Sequence, residues 1–434
     1  MMNKTTLAGA IAASLLATSL SAQAQVSNGF VSDSSLTLGL RNFYHNQDQR
    51  SGNPGFSRSE EWGQGFLLQF QSGWVDTGGV KLGLDALGQY GVRLDGGGRQ
   101  GKTGITRSPG QLFPLESDGS AVSEFGRIDL TGKLQVAQTR VDLGVLRPRL
   151  PVLTSNDGRL LPQTFRGGQL VSRDVDNLTL QLGQIERVSA RASTNYENMG
   201  IGGASTAARV NQFRFAGGDY QVNDSLTASY YFGQLQDFYR QHFIGAQHST
   251  ALGAGSLSTD LRYFDSSAYG ANRSETAGYG AKVDNRVISA MFTYSQDGHS
   301  VGLGRQQLSG KSAFPFVNNG DGTTAYLITD SQLGKFLRAE QRTWLVEYGY
   351  NFAEAGIPGL RASAKYLRGD NVRGQDSGQD KEWERDLRVD YTVQEGALKN
   401  LGFSLRHASL RSNVPSQRDI DETRIYLTYS FNLR

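Results

Sequence analysis

Apolar and polar residues alternate along one short stretch after another of this chain, with a period of two that few folds can use throughout. Leu36, Leu38 and Leu40 interleave with Thr37, Gly39 and Arg41. Ile128, Leu130, Leu134 and Val136 interleave with Arg127, Asp129, Thr131, Lys133 and Gln135. In a strand such a pattern puts the apolar set on one face and the polar set on the other. A chain of 434 residues built almost wholly this way must hide its apolar faces somewhere. A sheet closed into a barrel within a bilayer does so: the apolar face meets lipid, the polar face lines a wet lumen, and no unpaired edge is left in hydrocarbon. Past Leu20 no apolar run is long enough to cross as a helix. The expected class is all-β, a transmembrane antiparallel barrel.

The amino terminus fits an exported protein. Lys4 precedes an apolar stretch from Leu7 to Leu20 and then Ala22-Gln23-Ala24, the small-x-small pattern of a signal-peptidase site. Residues 1–24 therefore read as a secretory signal peptide and 25–434 as one barrel domain, with no repeat or linker dividing it. The 54 Gly and 9 Pro, with 18 Tyr and 21 Phe, suit a turn-rich sheet with aromatic girdles. A mean hydropathy of −0.43 is no objection, because only alternate residues of a barrel touch lipid. Loss of Lys4 leaves 43 of the 44 basic residues against 41 acidic ones, a net charge of +2. That balance argues against a nucleic-acid partner. Without cysteine, the fold uses neither disulfides nor thiolate metal sites.

Alternating segments run at 35–46, 60–74, 78–93, 123–138, 139–147, 177–187, 209–217, 222–235, 255–264, 285–296, 299–309, 341–353, 358–369, 382–394, 400–410 and 421–433. The periodicity thus gives about sixteen strands and allows up to about eighteen, since single-strand signals in barrels are weak. Short turns such as Asp76-Thr77-Gly78-Gly79 and Gln296-Asp297-Gly298 belong on the periplasmic side. The long polar connections 94–122, 148–176, 188–208, 236–254, 265–284 and 310–340 belong outside.

With apolar neighbours turned to lipid, Arg41, Arg127, Arg140, Arg361, Lys365, Arg388, Arg406 and Arg424 face inward, together with Asp85, Asp129, Asp142, Glu347 and Asp390. Taken singly, such charges pair with each other and solvate the wall. Taken together, Arg41 from the first strand and Arg361, Lys365, Arg388, Arg406 and Arg424 from the last ones become neighbours on closure and focus a positive potential on one wall.

Residues 147–167 break the pattern, with three of the nine prolines and four arginines among apolar residues. Proline cannot donate to a sheet ladder, and the composition is too apolar for a solvated loop. Folding into the lumen satisfies both constraints and makes this segment a constriction. Arg149, Arg159 and Arg166 of the loop, with Arg127 and Arg41 of the wall, are the expected eyelet, the alternative for the loop arginines being anchorage to wall acids.

Two stretches of that segment, Arg147-Pro148-Arg149-Leu150-Pro151-Val152-Leu153 and Asn156-Asp157-Gly158-Arg159-Leu160-Leu161-Pro162-Gln163-Thr164-Phe165-Arg166-Gly167, resemble the third extracellular loop of the OprD (Occ) family of Gram-negative outer-membrane channels. Leu40-Arg41-Asn42-Phe43-Tyr44 and the signal peptide are similar to the same family. The resemblance covers the mature chain in layout. It implies an eighteen-stranded barrel acting as a monomer (a weak trimer being the alternative), set in outer-membrane lipid and lipopolysaccharide, with loop three folded inward and small carboxylate-bearing nutrients passing along an arginine ladder. The two further strands it requires would lie in the irregular segments 188–208 and 265–284. The wording of the loop is more similar to the OccK-type carboxylate group than to the OccD-type channels for basic amino acids and small peptides. The chain ends Ser430-Phe431-Asn432-Leu433-Arg434, where many outer-membrane barrels end on an aromatic residue.

An enzymatic barrel is the weaker expectation. His242, His248 and His299 fall in segments read as loops or turns, and no spacing joins a histidine to a serine and an acid on facing strands. No catalytic residue, metal site or cofactor is expected, and Gly96-Gly97-Gly98 and Asn318-Asn319-Gly320-Asp321-Gly322 read as loop glycines. An adhesin or purely structural barrel is the remaining alternative, disfavoured by an inward-folding loop.

Overall fold

A computed structural model describes residues 29–50, 57–99, 107–274, 277–318, 324–372, 380–414 and 417–434. The signal-peptide segment 1–24 and the glycine-rich 319–322 lie outside the described residues. The wall consists of β1 (Ser35–Gln49), β2 (Arg58–Gln71), β3 (Val80–Asp95), β4 (Glu124–Val136), β5 (Thr139–Leu146), β6 (Thr164–Val175), β7 (Leu178–Ser189), β8 (Phe213–Asn223), β9 (Leu226–Leu235), β10 (Tyr239–Leu252), β11 (Gly255–Ala268), β12 (Asp284–Gln296), β13 (His299–Gly310), β14 (Arg342–Asn351), β15 (Leu360–Val372), β16 (Asp380–Thr392), β17 (Gly402–Ser412) and β18 (Ile420–Asn432). Each pairs antiparallel with the next, and β18 returns to β1 with Arg41 opposite Thr428 and His45 opposite Arg424. The barrel is closed with eighteen strands, so no ladder edge meets lipid.

The alternation read from sequence sets the faces. Ile128, Leu143, Ile288 and Leu303 stand on the outside, exposed where the membrane's hydrocarbon lies, while Phe43, Ile185, Phe264 and Leu367 are buried within. No helix of the described residues is long and apolar enough to cross a membrane.

Two strands escaped the periodicity, and not where they were expected. Thr164–Val175 and Tyr239–Leu252 lie in stretches read as the loops 148–176 and 236–254, whereas 188–208 and 265–284 contain no complete wall strand. In the first, Gly167 and Gly168 blur the alternation at a register shift against β7. In the second, Phe243 points inward to the rings of Phe264 and Tyr326, and Phe264 in turn meets Phe314, so its lumen face is apolar and its outer face carries His242. The same correction moves His242 and His248 into a strand, and His299 opens another.

The expected constriction loop is shorter than 147–167. Thr164, Phe165, Arg166 and Gly167 belong to β6, with Phe165 opposite Leu146 and Arg166 opposite Val145, which leaves residues 147–163 between strands. Pro148, Pro151 and Pro162 all fall inside this shorter loop, as the missing donors require.

Candidate pore and constriction

The 147–163 loop crosses the lumen and docks on both walls. At one end Leu150, Val152 and Leu153 are buried in a cluster with Ile185, Phe213, Phe215 and Tyr231 of β7 to β9. At the other Leu160 and Leu161 are buried with Phe43, Leu67, Phe113 and Phe125 of β1 to β4 and their loop. Burying each such side chain contributes about 1.5–3 kcal/mol, which fixes the loop as part of the molecule's interior.

The seat for Leu160 is cut into β2 by glycine. A Cβ at Gly65 would stand 2.9 Å from the Leu160 carbonyl oxygen, and one at Gly63 would stand 2.8 Å from Leu160 Cδ2. Gly233 plays the same part on β9, where a Cβ would lie 2.9 Å from Val152 Cβ. Such glycines let a loop approach the wall closely.

A second segment, 324–341, also lies inside, and sequence reasoning missed it. Its Ser331 hydroxyl donates to Asp386 at 2.6 Å, and the Leu333 and Gly334 amides donate to Glu384 at 2.8 and 2.6 Å. Tyr326, Leu327, Leu333, Phe336 and Leu337 are too many large apolar residues for a solvated loop, a signal available in the sequence. Residues 316–318 further pair with 200–202 to make a two-stranded sheet.

The expected site residues fall into two kinds. Arg127, Arg159 and Arg424 are buried and engaged. Arg127 pairs with Asp129 at 3.1 Å and donates to the Ser193 carbonyl at 2.6 Å and Thr164 Oγ1 at 3.0 Å. Glu422 gathers Arg424, His45 at 2.9 Å and Arg159 at 3.7 Å, while Arg424 reaches the Gln332 carbonyl at 2.9 Å. Burial, then the neighbouring Arg424, presses the pKa of Arg159 below the usual guanidinium range, with Glu422 opposing. These contacts tie both inner segments to the closing seam of β1 and β18. His45 and Glu422 also form a histidine–acid pair between facing strands, which sequence spacing did not disclose, but the pair is buried. Arg166 lies in the β6 ladder with its guanidinium 4.2 Å from the Tyr196 ring centroid and 3.9 Å from Asp129.

The other kind lines open space. Arg41, Arg388 and Arg406 share a cavity of about 250 Å³ with Asp157, Asp390 and Tyr426. Arg388 and Asp390 also line the next cavity, of about 390 Å³, with Arg361, Ser300 and Tyr350 towards the short-turn end. Arg388, Arg406 and Arg424 sit directly opposite one another on three adjacent strands. Because strands tilt in a barrel, a row that crosses them climbs along the pore axis. Like charges placed opposite repel, and local partners offset this. Arg388 pairs with Asp390 at 2.5 Å, whereas Arg406 donates to Ser404 at 3.1 Å and stands 4.8 Å from the Tyr426 ring centroid. Lys365 is opposite Glu347 on one side and Asp386 on the other. Arg149 lines a separate cavity on the far wall with Asp219, Asp260 and Tyr326.

A family model described as outer membrane porin, OprD family, matches residues 28–433. The chain belongs to the OprD family of porins. This OprD-family porin is 35% identical over 419 residues to the porin-like protein GalP of Pseudomonas putida, covering 96% of each chain. The crystal structure of Pseudomonas aeruginosa OccK8 (OprE) superposes with a TM-score of 0.86 at 47% identity, covering 94% of this porin and all of that chain. That of Pseudomonas aeruginosa OpdK with vanillate gives 0.83 at 34% identity, covering 93% of this porin and all of that chain. The protein is accordingly a substrate-specific channel of the Gram-negative outer membrane and not an enzyme. Among the described residues no group of three His, Asp or Glu is arranged to hold a metal ion.

Proposed function

We propose that this porin passes small carboxylate-bearing solutes by passive diffusion, with Arg41, Arg406, Arg388 and Arg361 as successive stations. The observation that carries the reading is the pair of adjoining cavities that share Arg388 and Asp390. Together they give a solute carboxylate a series of guanidinium forks from the constriction towards the periplasmic mouth. One contact pair is worth up to about 4 kcal/mol at an effective dielectric near 20. Exit therefore requires that each station already be partly satisfied, as Asp157 does for Arg41 and Asp390 for Arg388. Arg127, Arg159 and Arg424 act in this account by holding the constriction in shape and by setting the local potential.

The vanillate in OpdK, an aromatic carboxylate, supports the reading from a relative of 34% identity. Transport of basic amino acids is the second reading. It draws on Asp219, whose oxygens accept from the Ser229 and Tyr231 hydroxyls at 2.6 Å each and, among the described residues, pair with no base. Arg149 in the same cavity, and Arg262 bound to the adjacent Asp260 at 2.6 Å, weaken that site for a cation. Closure of the barrel within one chain supports action as a monomer, and the Lys4, apolar and Ala22-Gln23-Ala24 pattern supports residues 1–24 as a cleaved export signal. Swelling of proteoliposomes in benzoate, lysine or a neutral sugar of similar size tests the proposal. Benzoate entering fastest supports it, and equal rates for benzoate and sugar contradict it.

A further inference from the structure

The outer face of five adjacent strands carries a row of residues that the pore does not use. Arg305 of β13 stands opposite Trp344 of β14, Trp344 opposite Arg368 of β15, Arg368 opposite Trp383 of β16, and Trp383 opposite Arg411 of β17. Their chain neighbours Gln306, Leu345, Leu367, Glu384 and Leu410 are buried inside the barrel, so the row points to lipid. It lies near the long-loop ends of these strands, beyond the exposed apolar band of Leu387, Val389 and Tyr391.

Arginine is tolerated there only at headgroup depth, which is also the level tryptophan favours. The Arg305 guanidinium lies 4.6 Å from the Trp344 ring centroid. Arg411 is neutralised by Asp421 at 2.9 Å, but among the described residues no carboxylate pairs with Arg305, Arg368 or Arg385, the last standing opposite Tyr366. The girdle elsewhere differs: Trp62 donates to Asn42 at 2.8 Å, and Tyr90 donates to the acidic Glu124. Bases stand on the outer face elsewhere too, but Arg214 is bound to Gln184, Arg240 to Gln234 and the Tyr269 ring, and Arg286 lies 3.6 Å from Asp265, so among the described residues β13 to β16 are where guanidinium groups without a carboxylate gather on adjacent strands.

We propose that β13 to β16 bind the lipid A portion of lipopolysaccharide, its phosphates seated between Arg305, Arg368 and Arg385 and its acyl chains lying along the apolar band. Guanidinium forks match phosphate oxygens. Arg305 and Arg368, two strands apart, are separated by about 10 Å at the backbone, which leaves room for a sugar phosphate between them. The interaction needs no pore residue.

Native mass spectrometry of the purified full-length barrel, titrated with bisphosphorylated lipid A, with the same lipid stripped of phosphate, and with phosphatidylglycerol, tests this. The wild-type protein is expected to hold bisphosphorylated lipid A at least tenfold more tightly than either other lipid, and the Arg305→Gln/Arg368→Gln/Arg385→Gln variant is expected to lose that preference. Equal binding of all three lipids by the wild-type protein, a comparison needing no variant, would overturn the proposal. So would an unchanged preference in a variant that keeps its heat-resistant barrel, or competition by inorganic phosphate at concentrations comparable to the lipid.

Discussion

Arg41 holds Asp157 in a two-pronged ion pair between the barrel wall and the constriction loop, Nη1 to Oδ1 at 2.7 Å and Nη2 to Oδ2 at 3.1 Å. The same guanidinium donates to the Arg159 carbonyl at 2.7 Å, so wall and loop are fastened by side chain and backbone together. Asp157 occupies the kind of seat that a solute carboxylate would take, and it borders the cavity that contains Arg388 and Arg406. Replacement of Asp157 by Asn removes that competitor and leaves the carbonyl contact. Current through the Asp157→Asn variant should become more anion-selective, read as a shifted reversal potential in a salt gradient. Residence of benzoate, read as current blocks, should lengthen.

Arg388 and Arg406 are neighbours with different electrostatic standing, since among the described residues Arg388 has a carboxylate at contact distance and Arg406 has none. The Arg406→Gln variant should therefore shift the reversal potential towards cations more than Arg388→Gln does. Single-channel recordings at low salt, where screening is weakest, give the clearest comparison.

Glu422 is buried beneath two arginines and a histidine. Its replacement by Gln leaves buried cations without their counter-charge, a change that costs about 3–5 kcal/mol in comparable settings. The expected outcome is a lowered unfolding temperature in detergent together with noisier current, because the 147–163 and 324–341 segments lose a shared anchor. Quiet channels of unchanged thermal stability would show that the cluster is not holding them.

The glycine seat makes a steric prediction. Leu at position 65 has no room beneath Leu160, and overpacking of this kind costs typically about 1–3 kcal/mol. The Gly65→Leu barrel should still close, since β1 and β3 pair with β2 through the backbone. Its constriction should be displaced, and proteolysis within residues 154–160 should become faster.

Closure, the facing of the arginines and the interior position of the proline-rich loop were all legible in the sequence, because each rests on a local pattern. Leu387, Val389 and Tyr391 fix the direction of Arg388 and Asp390 without any tertiary information. What failed was whatever depends on a partner. The strand around Phe243 was hidden because another part of the chain covers its inner face, which made both faces unlike those of a wet barrel. Thr164 to Gly167 were assigned to the loop because proline marks where pairing cannot occur but not where it resumes. The division of the arginines into anchors and lumen-lining groups was illegible for the same reason, since Arg424 and Arg406 have similar sequence surroundings and differ in having Glu422 and Gln332 to bind.

The most direct test of carboxylate passage along the arginines is the reversal potential in a sodium benzoate gradient across a planar bilayer, for the wild-type channel and for Arg41→Gln/Arg388→Gln/Arg406→Gln. Benzoate selectivity is expected in the first and its loss or inversion in the second, with the barrel intact. A wild-type channel that favours sodium over benzoate, or a triple variant with unchanged selectivity, would contradict it.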